Sequence, residues 1–215
     1  MRTFATTAPV TVALAVPAGR VHLAATEHAD TTVEVLPANP AKGRDVRTAE
    51  ETTVTFADGV LRITAPEPTR GTGSLDIAVG LPAGSRVTAR TAAAELRTTG
   101  HLGDLTFEGA YRHVEIDEAD TVHLTATDGD IRVRRLHGDA DISTARGDIR
   151  VTEAMSGKVV LHTQYGDIEI GTAAEVSATL DAGTGTGRIR NALTNTGSAG
   201  LAIRATTGHG DISAR

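Results

Sequence analysis

A tripeptide, Gly-Asp-Ile, recurs in the second half of the chain and restricts the folds that the chain can adopt. Four copies begin at Gly129, Gly147, Gly166 and Gly210, and a variant, Gly187-Arg188-Ile189, lies between the last two. With weaker copies upstream, the apolar residue of each unit gives seven markers, which are Leu96, Val114, Ile131, Ile149, Ile168, Ile189 and Ile212. Their spacings are 18, 17, 18, 19, 21 and 23 residues. A recurrence of this length indicates a stack of similar structural units.

The residues around the markers alternate between apolar and polar types. Val122-His123-Leu124-Thr125-Ala126 and Ile131-Arg132-Val133-Arg134 are two such stretches. A two-residue period is typical of a strand with one buried face, and a glycine between two strands permits a sharp corner. One coil cannot bury its inner face alone, whereas stacked coils give every strand parallel neighbours. We therefore expect an all-β chain whose residues 81–215 form a parallel β-solenoid (β-helix) of about seven coils.

Residues 1–80 follow a different pattern, with longer alternating stretches. The predicted strands are Val10–Val16, Val21–Ala25, Thr32–Leu36, Thr53–Phe56, Val60–Thr64 and Leu75–Val79. The first two are separated by a turn at Pro17–Arg20. The stretch Pro37–Glu51 contains prolines, a glycine and mixed charges, which predicts a surface loop, and no helix is expected. We interpret residues 1–80 as an N-terminal β-rich cap that shields the first edge of the solenoid and forms one continuous structural unit with it.

The composition excludes several classes of function. A formal net charge of −6 and a pI near 5.7 argue against nucleic acid as a partner, because phosphate binding needs a basic face. The absence of cysteine excludes thiolate metal sites and cysteine nucleophiles. No stretch reaches the ~20 apolar residues of a membrane-spanning helix, and the start of the chain reads as strands instead of a signal peptide. We expect cytoplasmic localisation, with peripheral membrane attachment through a partner as an option.

The Gly-Asp-Ile corners, preceded by an alternating β-rich region, resemble the bacterial "putative adhesin" family of uncharacterised β-solenoid proteins. The resemblance extends from about Leu75 to Arg215. It implies a β-solenoid fold, a binding function and a link to envelope-stress or membrane-associated systems. The family has no established catalytic residues, so the resemblance implies none in this chain.

Four aspartates are expected at the same corner of successive coils, namely Asp130, Asp148, Asp167 and Asp211. This Asp ladder has the oxygen chemistry of a row of divalent cation sites. The structural alternative is that the carboxylates accept turn N–H groups and are neutralised by arginines two residues away, such as Arg132 and Arg150. The spacing is double the roughly nine residues of the calcium-binding β-roll repeat, which favours the structural alternative. We predict no metal site and no catalytic residue.

The remaining chemistry-bearing residues match no catalytic motif. The histidines lack H-x-x-x-H spacing and the serines lack a G-x-S-x-G elbow. The stretch Gly183–Gly187 looks like a phosphate loop but precedes no predicted helix, so we interpret it as a widened corner and expect no cofactor. The residues before the corner glycines differ from coil to coil, which predicts a solvent-exposed edge, and they are Asp128, Arg146, Tyr165, Thr186 and His209.

These observations predict a non-catalytic β-solenoid scaffold or protein-binding module, accessory to an envelope-stress or membrane-associated system. Its partner is expected to be a protein or a second copy, bound through a solenoid face or the C-terminal end, where the last coil, Asp211–Arg215, has no evident cap. The alternative is a polysaccharide lyase or hydrolase on a β-helix, for which the Asp ladder would supply paired carboxylates about 5–10 Å apart.

Overall fold

β-Strands of 3 to 16 residues make up most of the chain. The structure, a computed structural model, describes residues 1–27, 30–67, 69, 71–111 and 113–215, and all of their side chains except those of residues 110 and 111. The strands are β1 (Arg2–Ala5), β2 (Thr11–Thr26), β3 (Asp30–Pro37), β4 (Thr53–Ala57), β5 (Val60–Thr64), β6 (Leu75–Pro82), β7 (Arg86–Thr99), β8 (His101–Tyr111), β9 (Val114–Asp128), β10 (Ile131–Leu136), β11 (Ala140–Arg146), β12 (Ile149–Ala154), β13 (Gly157–Tyr165), β14 (Ile168–Thr172), β15 (Ala178–Thr186), β16 (Ile189–Asn191), β17 (Leu201–His209) and β18 (Ile212–Ala214). The prediction of an all-β fold is confirmed.

Parallel pairing stacks these strands into layers, which we call rungs. A typical rung consists of β11 and β12, joined at the corner glycine Gly147. β11 pairs with β9 and β13, and β12 pairs with β10 and β14, all in parallel. The pairing places the markers in one column, in the order Leu96, Val114, Ile131, Ile149, Ile168, Ile212 and Ile189. The arrangement is solenoid-like, as the repeated corners predict.

The N-terminal strands extend the same stack. β2 pairs in parallel with β7 from Thr11↔Arg86 to Ala24↔Thr99, and its other edge pairs with β5 and β6. β2 runs through the turn predicted at Pro17–Arg20, because residues on both sides of Pro17 keep their partners in β7. β4 pairs antiparallel with β5, β3 with β6 and β1 with β3, so antiparallel strands lie outside this end of the stack.

A short helix, α1 (Gly43–Glu51), occupies the stretch predicted to be a surface loop. The expectation of no helix is wrong. The sequence pattern did not predict α1 because polar contacts, instead of an apolar stripe, hold it in place. The Thr48 hydroxyl accepts a hydrogen bond from the Gly73 N–H at 2.8 Å, and the buried Asp45 carboxylate accepts one from the Ser74 N–H at 3.1 Å. No helix in the described residues is long and apolar enough to cross a membrane.

The order of the rungs departs from the order of the chain after β14. β17 and β18 pair with β13 and β14 on one side and with β15 and β16 on the other. The expectation that the last coil, Asp211–Arg215, forms the uncapped end is therefore wrong. The outermost rung consists of residues 178–191, and we call it the open rung.

The stretch Gly183–Gly187 is not a widened corner. β15 keeps a continuous register with β17 from Ala178↔Leu201 to Thr186↔His209. After β14 the chain passes over one rung position, forms β15 and β16 in the position beyond it, and then returns to form β17 and β18 in the position that was passed over. The connecting residues 173–177 and 192–200 contain the additional length. The longer spacings of 21 and 23 residues between the last markers have this origin.

The inward-facing side chains form a continuous apolar core of valine, isoleucine, leucine and alanine. Ile131, Ile149 and Ile212 are all fully buried, and the one aromatic residue in the core is Phe107 among the side chains described. Small aliphatic side chains suit the narrow space between the two strand faces, because protein interiors are close-packed. The outward positions are left for polar residues, so any site must lie on the faces, corners or ends of the stack.

Candidate functional site

The four predicted aspartates line up along one corner of the stack. The Asp148 N–H donates to Asp130 Oδ1 at 3.1 Å, the Asp167 N–H to Asp148 Oδ1 at 2.8 Å, and the Asp211 N–H to Asp167 Oδ1 at 2.7 Å. The series ends where the Arg188 N–H donates to Asp211 Oδ1 at 2.9 Å. Each carboxylate thus satisfies a backbone donor of the following rung, which is the structural use expected for corner aspartates.

Arginines and carboxylates neutralise one another across rungs. Arg150 forms an ion pair with Glu169, which also contacts Arg215 at 2.7 Å. Asp211 lies 3.6 Å from Arg188 and 3.8 Å from Arg190. Among the described residues, the pairing expected between Asp148 and Arg150 does not occur, and the ion pair between residues two apart is that of His113 and Glu115, at 3.7 Å.

A shallow polar groove of about 250 Å³ runs beside the Asp ladder. It is lined by Asp148, Asp167 and Asp211 together with Arg150 and Arg190. Across the described residues, no three His, Asp or Glu side chains converge in a way that would hold a metal ion. The Oδ1 atoms are already used as backbone acceptors, and the absence of a metal site remains a prediction.

The residues before the corner glycines also form a row, which we call the corner row. In stacking order it runs Asp128, Arg146, Tyr165, His209, Thr186. The insertion of β17 between β13 and β15 brings Tyr165 and His209 together. Their rings stack with centroids 4.9 Å apart and an interplanar angle of 10°, and Tyr165 is 52% exposed. Chain order places Thr186 next to Tyr165, so sequence reasoning missed this aromatic pair.

A second polar cluster, which we call the histidine edge, consists of His101 at the start of β8, Asp117, Glu118 and Asp120 within β9, and His137 between β10 and β11. His137 Nε2 lies 2.6 Å from Glu118 Oε1, and His101 Nε2 lies 2.9 Å from Asp120 Oδ1. The two imidazole rings are 5.5 Å apart in an edge-to-face arrangement. Sequence reasoning found no motif among these histidines, because residues 17–19 apart become neighbours only through the rung register.

The carboxylates of the histidine edge are held in their charged form. The hydrogen bond from His137 lowers the pKa of Glu118, and nearby Arg135 adds to this effect. The hydrogen bond from Arg134 lowers the pKa of Asp117, whose carboxylate also accepts the Gly100 N–H at 2.8 Å. Deprotonated carboxylates engaged by cations do not serve as general acids, so the geometry indicates a structural role.

An apolar groove of about 500 Å³ lies near the N-terminal end of the stack. Its lining includes Val16, Pro17, Ala65 and Ala92, and the Arg90–Glu108 ion pair, at 3.0 Å, lies at its rim. The Thr91 hydroxyl beside it is buried without a hydrogen-bond partner among the described residues. The lining suits contact with an apolar group better than acid–base chemistry.

Comparison with solved structures supports the fold. A crystal structure described as a "putative adhesin" from Bacteroides fragilis NCTC 9343 has a TM-score of 0.54 and 12% identity, covering 100% of this chain and 95% of that chain. A "putative adhesin" from Parabacteroides distasonis ATCC 8503 has a TM-score of 0.44 and 12% identity, covering 99% and 95%. A "putative lipid binding protein" from the same organism has a TM-score of 0.41 and 9% identity, covering 98% and 95%.

At these identities the likeness concerns the fold alone, and the Bacteroides structure is the one of the three that is similar enough to carry it. No curated protein sequence matches the chain. The sequence profile of the family described as Toastrack DUF4097, in contrast, matches residues 11–215, which is nearly the whole chain. The chain therefore belongs to the Toastrack DUF4097 family, and the predicted membership of a "putative adhesin"-like family of uncharacterised proteins is confirmed.

Proposed function

We propose that this protein is a non-catalytic β-solenoid scaffold that binds a protein partner through its outer surface. The observation that carries the proposal is the exposed Tyr165–His209 stack in the corner row, with Arg146 on the neighbouring rung. Aromatic and arginine side chains dominate the energetics of protein interfaces. A stacked sheet edge also holds them in place before binding, which reduces the entropy lost on association.

Site-specific cross-linking tests this proposal. A photo-reactive phenylalanine analogue at position 165 is expected to capture the same partner from bacterial extracts each time. The same analogue at position 36, where Leu36 is 48% exposed on a distant strand, is the matched control. The double variant Tyr165→Ala, His209→Ala should lose the partner and keep its β-sheet circular dichroism spectrum. Equal capture at both positions, or none at position 165, would contradict the proposal.

The proposal also states that the protein is not an enzyme. The Asp ladder supports this part, because its Oδ1 atoms accept backbone N–H groups of the next rung. Incubation with acidic polysaccharides, with and without calcium, checks it directly. Turnover that disappears in Asp148→Ala would overturn the scaffold assignment in favour of the polysaccharide lyase or hydrolase.

We further propose that residues 1–80 act as a cap on a solenoid of about seven coils in residues 81–215, as one structural unit. The parallel pairing of β2 with β7 along most of both strands supports this. Removal of residues 1–80 would expose the edge of β7, and we expect the shortened chain to aggregate. A soluble, monomeric 81–215 fragment would contradict the cap.

We propose, finally, an accessory role in an envelope-stress or membrane-associated system. The support is the family membership together with the resemblance to "putative adhesins". The genes that neighbour this one are the simplest test. Sensor or transporter genes of such a system are expected beside it, and an unrelated metabolic operon would count against the role.

A further inference from the structure

The open rung ends the stack with an unpaired sheet edge. β15 pairs with β17 alone and β16 with β18 alone in the described part of the chain, whereas β17 and β18 have partners on both sides. Residues 192–200 are exposed apart from the half-buried Leu193, which packs against the core, and the Ala178 N–H donates to the Thr194 carbonyl at 3.0 Å. Unpaired backbone donors and acceptors of a strand are a template for another strand.

The apolar column is also uncovered at this end. Ile189 is 45% exposed, whereas its neighbour in the column, Ile212, is fully buried. Leu180 and Ala182 on β15 are likewise only partly buried. At the opposite end of the stack, β3 and β4 pair with the outer edges of β6 and β5. The open rung is thus the end at which a further strand could continue the parallel stack.

The charges of the open rung define which strand would fit. Arg188 stands where four other rungs carry a ladder aspartate, and its side chain is 76% exposed. Arg190, two residues on, is 62% exposed. A following rung would place its own residues opposite Arg188, Ile189 and Arg190. The complementary strand has a carboxylate, then an aliphatic residue, then a second polar or acidic residue.

The structure already holds one strand of this type against β16. In β18 and the residue before it, Asp211 lies opposite Arg188, Ile212 pairs with Ile189 and Ser213 pairs with Arg190. Asp211 contacts both guanidinium groups, at 3.6 and 3.8 Å. The outer edge of β16 presents the same Arg188, Ile189 and Arg190, and no strand of the described residues pairs with it.

We propose that the open rung binds an extended acidic segment of a partner protein by strand addition, with the pattern Asp/Glu-aliphatic-Asp/Glu against Arg188-Ile189-Arg190. This rests on the proposed protein-binding function and names a second surface for it. Backbone hydrogen bonds to the free edge supply affinity, Ile189 packs on the aliphatic residue, and the arginines select the acidic strand. A second copy is disfavoured as the occupant, because β16 against β16 would oppose arginines of like charge.

A synthetic peptide from the chain itself provides the probe. The capped peptide Tyr-Gly-Asp-Ile-Glu-Ile-Gly, with the sequence of residues 165–171, carries the required pattern. We expect saturable binding of the fluorescent peptide, measured by polarisation. Arg188→Gln with Arg190→Gln should weaken binding roughly fivefold to tenfold, as expected for two exposed ion pairs. Leu36→Arg, which changes an apolar residue about as exposed as Ile189 but far from the open rung, should leave binding unchanged.

Charge reversal makes the test sharper. The peptide Tyr-Gly-Arg-Ile-Arg-Ile-Gly should bind the Arg188→Glu, Arg190→Glu variant more tightly than it binds the wild-type protein. Circular dichroism verifies that each variant is folded. Failure of the acidic peptide to bind, binding that is insensitive to the arginines, or sedimentation showing that a second copy occupies the edge would overturn this inference. Cross-linking at position 165 does not involve the open rung. Successful cross-linking with failed peptide binding would therefore overturn this inference alone and leave the proposed function standing.

Discussion

Alanine substitution of two isoleucines in the same column tests the order of the last rungs. Ile212 comes last in the chain but lies between two rungs and is fully buried. Ile189 comes earlier in the chain but lies in the open rung and is 45% exposed. The side chains are identical and the column is the same. A difference between Ile212→Ala and Ile189→Ala therefore reports which rung is on the outside.

The expected magnitudes follow from burial. Each substitution removes three carbon atoms, and at ~0.8 kcal/mol for each buried CH₂ the transfer free energy for Ile212 is roughly 2.4 kcal/mol. The cavity between two rigid rungs raises the total to about 3–4 kcal/mol. Ile189 keeps only about half of its surface buried, and water fills the space that alanine leaves, so the loss there is about 1 kcal/mol.

Urea unfolding followed by circular dichroism, at low protein concentration, measures both free energies. Ile149→Ala serves as the reference, because Ile149 is fully buried in the middle of the column. Ile212→Ala should match this reference and Ile189→Ala should not. An Ile189→Ala variant as destabilised as the reference, or an Ile212→Ala variant that loses only ~1 kcal/mol, would refute the stacking order.

Three further expectations concern the corners and the histidine edge. Asp148→Ala removes the acceptor of the Asp167 N–H and should lower the free energy of unfolding by about 1 kcal/mol, whereas Asp148→Asn keeps an oxygen there and should lose less in thermal unfolding. Equal losses would contradict the structural role of the Asp ladder. Gly147 has φ of 130°, and a Cβ there would lie 2.3 Å from the Gly129 carbonyl oxygen of the preceding rung, so Gly147→Ala should lose about 2 kcal/mol or more, and a variant of wild-type stability would exclude this strain. The pKa of Glu118 is lowered on folding by the His137 hydrogen bond, so its stabilisation is complete above the ordinary carboxyl pKa of 4.5 and is lost as the pH falls through the lower folded value. Glu118→Gln should therefore flatten the pH dependence of unfolding below pH 4.5, and an unchanged acid profile would contradict this.

Local patterns were sufficient to predict an all-β chain with repeated glycine corners. The alternation around Ile131 and Ile149 identifies which side chains face inward, and the recurrence of Gly-Asp-Ile gives the register that the structure has. The alternation and the corner tripeptide are each found within a single rung and repeat from rung to rung. They persist whichever rung lies above or below, because every rung offers the same apolar column and the same corner.

Because all rungs share the same column and corner, the sequence does not show which rungs are neighbours, and the surface clusters were therefore missed. The contact between Tyr165 and His209 requires knowing that β17 lies on β13, and the contact between His137 and Glu118 requires the register between rungs. No residue near either histidine in sequence signals its partner. The helix α1 was missed for a different reason, since hydrogen bonds to Asp45 and Thr48 hold it where an apolar stripe would have been visible.

One sequence signal does specify the order of the last rungs. Along the Asp ladder, each residue needs an acceptor on the preceding rung for its N–H. Stacking in chain order would place Arg188 between Asp167 and Asp211, and the Asp211 N–H would then face a side chain with no acceptor. In the observed order Asp211 follows Asp167 at 2.7 Å, and Arg188 follows Asp211 at 2.9 Å. Arginine thus occupies the last ladder position, where no further rung of the chain requires an acceptor, and an acidic strand added beyond it would be held by the β-ladder and the two arginines instead of by this corner hydrogen bond.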